Sequence, residues 1–533
     1  KGRKAIRCML ACIRIALRRI AKQSVTHHII TLRRAHMDIR PAYDKLMEAA
    51  QDGRFRTAPV STELLSDMTT PVEVMRRLRN VSSHCYMLES VYGHEKWGRY
   101  TFLGYAPKLE ITCIDGHMKV GELSFETDDP GKYIQQVLDE NRSAKFEGMP
   151  SFTGGLVGYF SYDYLKYSEK TLRLDAKDTE GFKDVDLMLF DKVIAFDNFS
   201  GKLILIVNIS LDAVETEYNR AVIELGKMVE LVTNGRKAEI PAGHMKTELK
   251  PMFTQKEYSE RVAQIKDHIK EGDIFQAVLS NRLEAEYEGS LFDTYRMLRS
   301  LNPSPYMFYF QGSDMEVAGA SPETLVKLKD GVLHTFPLAG TRPRGKTDEE
   351  DKALERELLA DEKELSEHNM LVDLGRNDIG KISRFGSVKV EKYHCIERYS
   401  HVMHIGSTVR GEIAEGKNAL DAISSVLPAG TLSGAPKIRA CQLLNDIEDN
   451  KRGIYGGAIG YLDLTGNMDT CIAIRIAYRK NGHVFVRSGA GIVADSIPEN
   501  EYRECMNKAA AVVKALQMAE GIVAAGSGKE AQI

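Results

Sequence analysis

Long apolar runs, strong net charge and paired cysteines are all missing from this chain of 533 residues. No stretch approaches the roughly 18–20 apolar residues that span a bilayer. The formal net charge is only −3, which argues against a general nucleic-acid or membrane-surface binder. The eight cysteines are scattered without a C-x-x-C pair, as in a reducing compartment. We therefore expect a cytoplasmic protein of one large or two ordinary domains, with no nucleic acid and no membrane among its partners.

The first 36 residues lack acidic side chains, and Asp38 is the first carboxylate in the chain. The same stretch holds ten Lys and Arg residues. An upstream extension translated in error, an organelle transit peptide and a basic binding arm all fit this composition, although transit peptides are richer in serine. We favour the first of these and expect 1–36 to be a basic extension outside a fold that begins near Met37.

Strand-like and helix-like segments follow this extension. Apolar runs around an Asn-Phe-Ser-Gly turn predict a hairpin over 186–210, and the runs flanking Asn481-Gly482 predict a second. Strands joined by hairpins and mixed with helices indicate an α+β fold. Helical periodicity covers 38–55, 212–233, 255–270, 348–374, 418–426 and 500–519. The polar segment 234–250 is the predicted linker between an N-terminal region, 37–233, and a C-terminal region, 251–520, and 521–533 is a predicted tail.

Short polar and glycine-rich strings crowd the segment from Pro337 to Lys508. Glycine loops supply backbone N–H donors, helices bearing glutamate can hold a divalent cation, and two basic residues offer fixed positive charge. The pattern fits a metal-assisted site for a small dicarboxylate better than a nucleophile motif, a zinc site or a nucleotide loop. The strings are PLAGTRPRG, ELSEHNMLVDLGRND, HVMH, GTLSGAPK, YGGAIGY, RSGAGIV and EYRECMNKA.

An arginine and a glycine-rich tripeptide are candidates for binding an anion. Alternation along 471–477 predicts a strand that places Arg475 on a face with small residues, where a carboxylate can bind the guanidinium. An ordinary surface arginine fits the strand equally well. Gly489-Ala490-Gly491 is interpreted as a turn that presents N–H groups to an anion, although such a tripeptide is often only a turn.

Glutamates and histidines supply the candidate metal ligands and proton carriers. Glu504 and Lys508 lie four apart on one predicted helix, where an exposed ion pair is the simpler interpretation. Glu367 precedes the apolar run NMLVDL and is a candidate ligand for Mg²⁺, which needs only one or two carboxylates. His401 and His404 lack a third ligand at a zinc-like spacing, so zinc is rejected. A single histidine acting as acid, base or ring-orienting group and a structural histidine both remain open.

Together these strings resemble the chorismate-utilising enzymes, most closely the large aminase subunits (component I) of the anthranilate synthase group, over about residues 60 to 518. The resemblance implies two large, mostly antiparallel sheets packed face to face, with helices on the outside. It also implies a Mg²⁺-dependent carbon–oxygen lyase. In that reaction ammonia adds at C2 of chorismate, the 4-hydroxyl leaves and pyruvate is eliminated to give anthranilate, the first step of tryptophan biosynthesis.

The resemblance also implies a role for each matching residue. Glu323 is the expected acid for the departing hydroxyl, a role that needs burial to raise its pKa. His404 matches a residue of the pyruvate-elimination half of the reaction, and Thr431 one that orients the ring. Glu367 and Glu504 match the Mg²⁺ ligands. The expected substrate-binding residues are Gly340, Thr341, Tyr455, Arg475, Gly489, Ala490, Gly491 and Lys508.

Two uncharged residues separate the possible activities. Ala339 stands where relatives that make the para-aminobenzoate precursor often have a lysine that can attack C2. Gln276 stands where isochorismate and salicylate synthases have a lysine that activates water. Their neutrality leaves free ammonia as the attacker. Aminodeoxychorismate synthase component I is the nearest alternative. A non-catalytic tryptophan-binding relative is another, although a decayed enzyme should have lost at least one of the metal or acid/base residues.

The resemblance implies a partner and an inhibitor as well. The chain has no Gly-x-Cys-x-Gly nucleophile elbow, so ammonia is expected from a separate glutamine amidotransferase subunit, component II. Leu88-Glu89-Ser90 and Pro305-Tyr306-Met307 resemble the two strings of the family's feedback site for L-tryptophan. Ser90, Pro305, Tyr306 and Met307 are the expected contacts. Core packing explains these strings as well, and Met87 departs from the family's more frequent leucine by a volume-conserving change.

Overall fold

A computed structural model describes residues 37–90, 98–399 and 402–526 of the chain, without side chains for 522–526. The predicted extension 1–36 and His401 of the predicted histidine pair lie outside the described residues.

Each of the six predicted helical segments contains a helix, but the helices at Pro71–Leu78, Pro130–Glu140, Leu165–Ser168, Phe292–Leu301 and Lys437–Glu448 were not predicted. The predicted segment 348–374 forms two helices, because the chain turns at Asp361, whose carboxylate caps the second helix by accepting from Lys363 and Glu364 N–H. The helices are α1 (Tyr43–Asp52), α2 (Pro71–Leu78), α3 (Pro130–Glu140), α4 (Leu165–Ser168), α5 (Val214–Asn234), α6 (Gln255–Glu271), α7 (Phe292–Leu301), α8 (Asp348–Ala360), α9 (Glu362–Gly380), α10 (Ala419–Val426), α11 (Lys437–Glu448) and α12 (Pro498–Gly526), with 3₁₀ turns at Tyr162–Tyr164 and Gly430–Leu432.

Strands occupy about as much of the described chain as helices do. They are β1 (Ile39–Arg40), β2 (Thr57–Leu65), β3 (Cys85–Glu89), β4 (Tyr100–Tyr105), β5 (Leu109–Ile114), β6 (His117–Val120), β7 (Leu123–Glu126), β8 (Gly155–Phe160), β9 (Val185–Phe190), β10 (Lys192–Asp197), β11 (Lys202–Ser210), β12 (His244–Met245), β13 (Lys250–Pro251), β14 (Gln276–Glu288), β15 (Tyr306–Gln311), β16 (Met315–Ser321), β17 (Thr324–Lys329), β18 (Val332–Thr335), β19 (Leu338–Pro343), β20 (Lys389–Arg398), β21 (Val402–Glu412), β22 (Gly434–Ala435), β23 (Ala458–Asp463), β24 (Met468–Ile472), β25 (Ile476–Lys480) and β26 (His483–Ile492).

These strands form two antiparallel sheets. The larger sheet has the order β1-β2-β11-β10-β4-β3-β15-β16-β25-β26-β14-β12, with β13 and β22 also paired to β14. The smaller sheet has the order β19-β21-β18-β17-β24-β23-β8-β9-β5-β6-β7, with β20 paired to β21. Each sheet takes strands from both sides of the predicted linker 234–250, so that segment does not separate two independent sheets. The predicted tail overlaps α12, which continues to Gly526.

The two sheets pack face to face. One core cluster combines side chains of both sheets, such as Phe308 and Tyr478 from the larger and Tyr159 and Ile459 from the smaller. Separate clusters pack helices α1, α2, α5, α7 and α12 on the outer face of the larger sheet, and α3, α9 and α10 on that of the smaller. The predicted fold, two large sheets with helices outside, is confirmed.

The two predicted hairpins have different outcomes. Asn481-Gly482 joins β25 to β26 with positive φ at both residues, as predicted. The segment 186–210 holds three strands and not two: β10 and β11 form the hairpin, while β9 belongs to the other sheet. The chain changes sheets at Asp191, between β9 and β10. The apolar pattern continues on both sides of this residue, so the sequence pattern did not predict the change.

The described residues contain no helix with the length and apolar character of a membrane span. The cysteines in the described ranges are all free thiols, and five of these six are buried.

Candidate active site

The chain changes sheets immediately before Arg475. β24 ends at Ile472 in the smaller sheet and β25 begins at Ile476 in the larger sheet. Arg475 has a left-handed φ of 55° and is half-buried. The prediction that 471–477 is one alternating strand is therefore wrong. The apolar pattern runs on through the crossing, but the backbone turns, so Arg475 is placed by a sheet-to-sheet connection and not by a strand face.

Backbone hydrogen bonds tie this crossing to two of the predicted strings. The N–H of Ile472 donates to the carbonyl of Glu323 (3.0 Å). Ala473 donates to the carbonyl of Gly457 (2.8 Å) and accepts from the N–H of Gly456 (2.9 Å). The strings SPETL and YGGAIGY, which are remote in sequence, thus meet at the base of Arg475.

Arg475 interacts electrostatically with three of the predicted site residues. Burial lowers the pKa of its guanidinium, and Tyr455, Glu323 and Glu504 act in the opposite direction. Burial raises the pKa of Tyr455, while the charges of Arg452 and Arg475 lower it. Predicted substrate, acid and metal residues are therefore close enough to influence one another's charge.

Glu323 lies between β16 and β17 with an enclosed carboxyl group. Burial raises the pKa of this carboxyl to about 7, and the hydrogen bond from Thr431 and the charges of Arg475 and Lys508 offset part of that rise. Thr431 Oγ1, in the 3₁₀ turn, donates to Glu323 Oε1 at 3.1 Å. A carboxyl with this pKa can hold or release a proton near neutral pH, as a general acid must.

A hydrogen bond between the neighbouring strands β19 and β21 joins Gly340 to His404. Gly340 has φ 65° and produces a bulge between Ala339 and Thr341, a conformation that favours glycine. His404 Nδ1 lies 2.9 Å from the Gly340 carbonyl and 3.1 Å from Thr341 Oγ1. A carbonyl only accepts, so Nδ1 carries the proton and Nε2 is the acceptor of the neutral ring. Burial lowers the pKa of this imidazole.

Four glutamates from two helices form the acidic part of the site. Burial raises the pKa of Glu367, and the carboxylates of Glu364 and Glu504 raise it further. Burial and the charge of Glu504 also raise the pKa of Glu501. Lys508 Nζ pairs with Glu504 at 2.7 Å. A divalent cation would stabilise carboxylates that raise one another's pKa, so the pair Glu367 and Glu504 fits Mg²⁺, which needs only one or two carboxylates.

The sequence reasoning missed Glu364 and Glu501. Glu364 lies close to Gly340, because a Cβ placed on that glycine would come within 3.2 Å of Glu364 Oε2. The charge of Glu364 also acts on His404. Each missed residue precedes a predicted ligand by three positions, so the repeated spacing E-x-x-E in ELSEH and EYREC was a signal for both.

Gly489-Ala490-Gly491 is part of a strand, and the prediction of a turn there is wrong. All three residues lie in β26 and pair with Ser280, Leu279 and Val278 of β14. The partner strand β25 stops at the pair Ala477–Val486 because the chain turns away at Arg475. A Cβ on Gly491 would meet Gln276 Nε2 at 2.9 Å, so the glycine leaves room for that amide.

The predicted regulatory residues line a cavity of about 680 Å³ between the two sheets. Strands β3 and β15 are neighbours, with Met307 opposite Glu89. Ser90, Pro305, Tyr306 and Met307 all face this cavity.

Comparisons with known proteins agree with this fold and site. Residues 83–514 match the family model of the chorismate binding enzymes. The chain is 42% identical over 491 residues to anthranilate synthase component 1 of Acetivibrio thermocellus, covering 90% of this chain and 99% of that protein. It is 43% identical over 488 residues to the component 1 protein of Pseudomonas aeruginosa, again covering 90% and 99%. The crystal structure of anthranilate synthase component I from Streptococcus pneumoniae superposes with a TM-score of 0.69 at 35% identity, covering 84% of this chain and 98% of that one.

Fold and site thus define a chorismate-utilising enzyme. The chain belongs to the chorismate binding enzyme family, among its anthranilate synthase component 1 members.

Proposed function

We propose that this chain is the aminase subunit of an anthranilate synthase. It adds ammonia at C2 of chorismate as the 4-hydroxyl leaves, and then eliminates pyruvate to form anthranilate, which commits chorismate to tryptophan biosynthesis. The enclosed Glu323 carboxyl carries this proposal, because a proton must reach the departing hydroxyl and the pKa of about 7 suits that transfer.

The substrate carboxylates are bound by positive charge and backbone N–H groups. Arg475 and Lys508 attract a dianion, and Gly340, Thr341, Tyr455, Gly489, Ala490 and Gly491 surround it. Fixed charges in an enclosed site stabilise a developing charge without reorganising. His404, neutral because burial lowers its pKa, has Nε2 ready to take a proton during pyruvate elimination. Thr431 holds Glu323 toward the substrate ring.

Glu367 and Glu504 would hold Mg²⁺. The proximity of Glu364 and Glu501 supports this assignment, because they add negative charge around the ion. When bound, Mg²⁺ would hold the ring carboxylate and favour its ionised form.

Free ammonia is the proposed nucleophile. Neither Gln276 nor Ala339 offers an amine, and the Gln276 amide is close to Gly491 of the substrate-binding strand. Ammonia would come from a separate glutamine amidotransferase subunit. The free thiols of the six cysteines in the described ranges support action in the reducing cytoplasm. L-tryptophan in the cavity at Ser90 would inhibit the enzyme.

An assay of the purified chain with chorismate, Mg²⁺ and ammonium at mildly alkaline pH tests the reaction. We expect fluorescent anthranilate and an equal amount of pyruvate, suppressed by tryptophan, and no product from glutamine alone. Consumption of chorismate without pyruvate would instead indicate aminodeoxychorismate synthase, and no consumption would indicate a non-catalytic relative.

A further inference from the structure

A hydrogen-bonded bridge connects the tryptophan cavity to the turn that carries Glu323. Tyr306 lines the large cavity. Its hydroxyl lies 2.9 Å from Thr324 Oγ1 and donates to Asp469 Oδ1 at 2.8 Å. Since the single hydroxyl proton of Tyr306 goes to the carboxylate, Thr324 is the donor in the other bond.

Thr324 is at the end of this bridge away from the large cavity, next to the proposed catalytic acid Glu323. It follows Glu323 directly and lines a small separate cavity of about 50 Å³ together with Glu323 and Thr431. It does not line the large cavity. Tyr306 and Thr324 therefore join two spaces that have different linings.

The second arm of the bridge ends at Asp469, on the strand that precedes Arg475 in the chain. Asp469 lies on β24 and also accepts from Lys327 Nζ at 2.6 Å. Two residues further along β24, Cys471 is opposite Thr324, and the strand then leads through the sheet crossing to Arg475. A ligand that displaces the Tyr306 ring would thus act on the turn of the acid and on the strand that leads to the substrate arginine.

We infer that the Tyr306 hydroxyl and Thr324 Oγ1 position Glu323 and transmit occupancy of the large cavity to it. This inference rests on the proposed function, because it assigns a pathway to the proposed tryptophan inhibition. Both residues are positioning residues, since neither is required to touch chorismate.

Removing each hydroxyl separately tests the bridge. Thr324→Val is the decisive variant, because Thr324 lies outside the large cavity and its loss cannot remove a contact with tryptophan. We expect tryptophan to bind Thr324→Val within about threefold of the wild-type dissociation constant. Tyr306→Phe changes a residue that lines the cavity, so its coupling factor is measured relative to its own dissociation constant for tryptophan. The factor by which tryptophan changes the apparent affinity for chorismate should fall about tenfold, within the usual range of allosteric coupling. The double variant should lose no more than Tyr306→Phe alone, because that single variant already removes the bond to Thr324 together with the bond to Asp469.

Tyr309→Phe is the matched control. Tyr309 is on the same strand, is fully buried, and its hydroxyl bonds to Glu316 and Arg79 and not to the cavity. This variant should keep the wild-type coupling factor. The pH profile of kcat/KM without tryptophan is a second readout. The limb governed by Glu323, which is faced by Thr431, Arg475 and Lys508, should shift in the two bridge variants and not in the control.

The possible outcomes separate the two proposals. Wild-type coupling and an unshifted pH limb in both bridge variants would overturn the bridge while leaving the proposed function intact. A wild-type enzyme that forms anthranilate but does not respond to tryptophan would overturn the proposed inhibition and, with it, the transmitting role. Loss of coupling in Tyr309→Phe as well would show that general loosening of β15 is the cause, and would also overturn the bridge.

Discussion

Burial governs the chemistry of Glu323. Its carboxyl has a pKa near 7, so it is protonated below that pH and ionised above it. If the protonated form is the acid in catalysis, kcat/KM for chorismate should fall as pH rises through about 7. Glu323→Gln should lower kcat by roughly 10²–10⁴ and abolish that limb of the profile. An unchanged limb in Glu323→Gln would assign the titration to another group.

The same carboxyl should also make stability depend on pH. Its native pKa is raised above the ordinary value, so the folded state binds more protons than the unfolded state between about pH 4.5 and 7. Stability contributed by Glu323 is therefore lost as pH rises across that interval. Glu323→Gln should be more stable than wild type at pH 8, by up to about 3 kcal/mol, with the difference vanishing near pH 4. Thermal unfolding at the two pH values measures this, and a difference independent of pH would contradict it.

The glutamates of α9 and α12 make a testable metal site. Glu504→Gln should raise the Mg²⁺ concentration for half-maximal activity by at least about 100-fold, and Glu501→Gln by roughly 10–100-fold, because outer partners of a metal site contribute less than ligands. Glu499→Gln, an exposed residue on the same helix, is the control. Calorimetry of Mg²⁺ binding should rank the three variants in the same order of lost affinity. Equal effects of all three changes would contradict the assignment of Glu504 as a Mg²⁺ ligand.

At the scale of elements, a buried ion triad holds the substrate-binding strand against α11. Glu448 is 3% exposed and accepts from Arg452 and Arg487 (2.6 and 3.0 Å). Burial alone would raise the pKa of Glu448, but the two guanidinium charges outweigh it and lower that pKa. Arg452 also donates to the carbonyl of Leu432, next to Thr431, so the triad supports the catalytic turn.

Glu448→Gln should therefore be strongly destabilising. It would leave two buried guanidinium groups without a charged partner, which costs about 3–5 kcal/mol. The midpoint of urea unfolding should fall accordingly, whereas Glu415→Gln, an exposed position, should stay within about 0.5 kcal/mol of wild type. A small effect of Glu448→Gln would mean that water or side-chain movement satisfies the two arginines.

Local signals in the sequence predicted local structure well and sheet membership poorly. The Asn481-Gly482 turn was predictable because its residues favour positive φ. The orientation of Arg475 was not predictable. Its left-handed φ does not follow from the residue type, and the alternation of apolar residues continues past it. Gly489-Ala490-Gly491 resembled a turn because pairing with β14, some 200 residues earlier, leaves no local trace. Motif order was enough to predict Glu323, Glu367 and Glu504 as site residues, but the proximity of Glu364 and Glu501 required the helices to be placed.

At the scale of the whole molecule, the two sheets interleave both sides of the segment 234–250. In the larger sheet β3 pairs with β15, and in the smaller sheet β8 pairs with β23. Fragments 37–233 and 251–520 expressed separately should therefore lack cooperative thermal unfolding, in contrast to the chain 37–526. Circular dichroism melts of the three proteins measure this. A cooperative transition in either fragment alone would show that one sheet closes without strands of the other region.

The place of β25 and β26 in the larger sheet also constrains how the protein is made. These strands come from 476–492, yet they lie between β16 and β14, so both neighbours keep an open edge until almost the whole chain has left the ribosome. At about 5–20 residues per second, β14 and β16 wait roughly 10–40 s for them. An open strand edge is a template for aggregation, and pairing between such distant segments is slow. Chaperone supply during translation, more than the stability of the finished enzyme, should limit its yield in a foreign host.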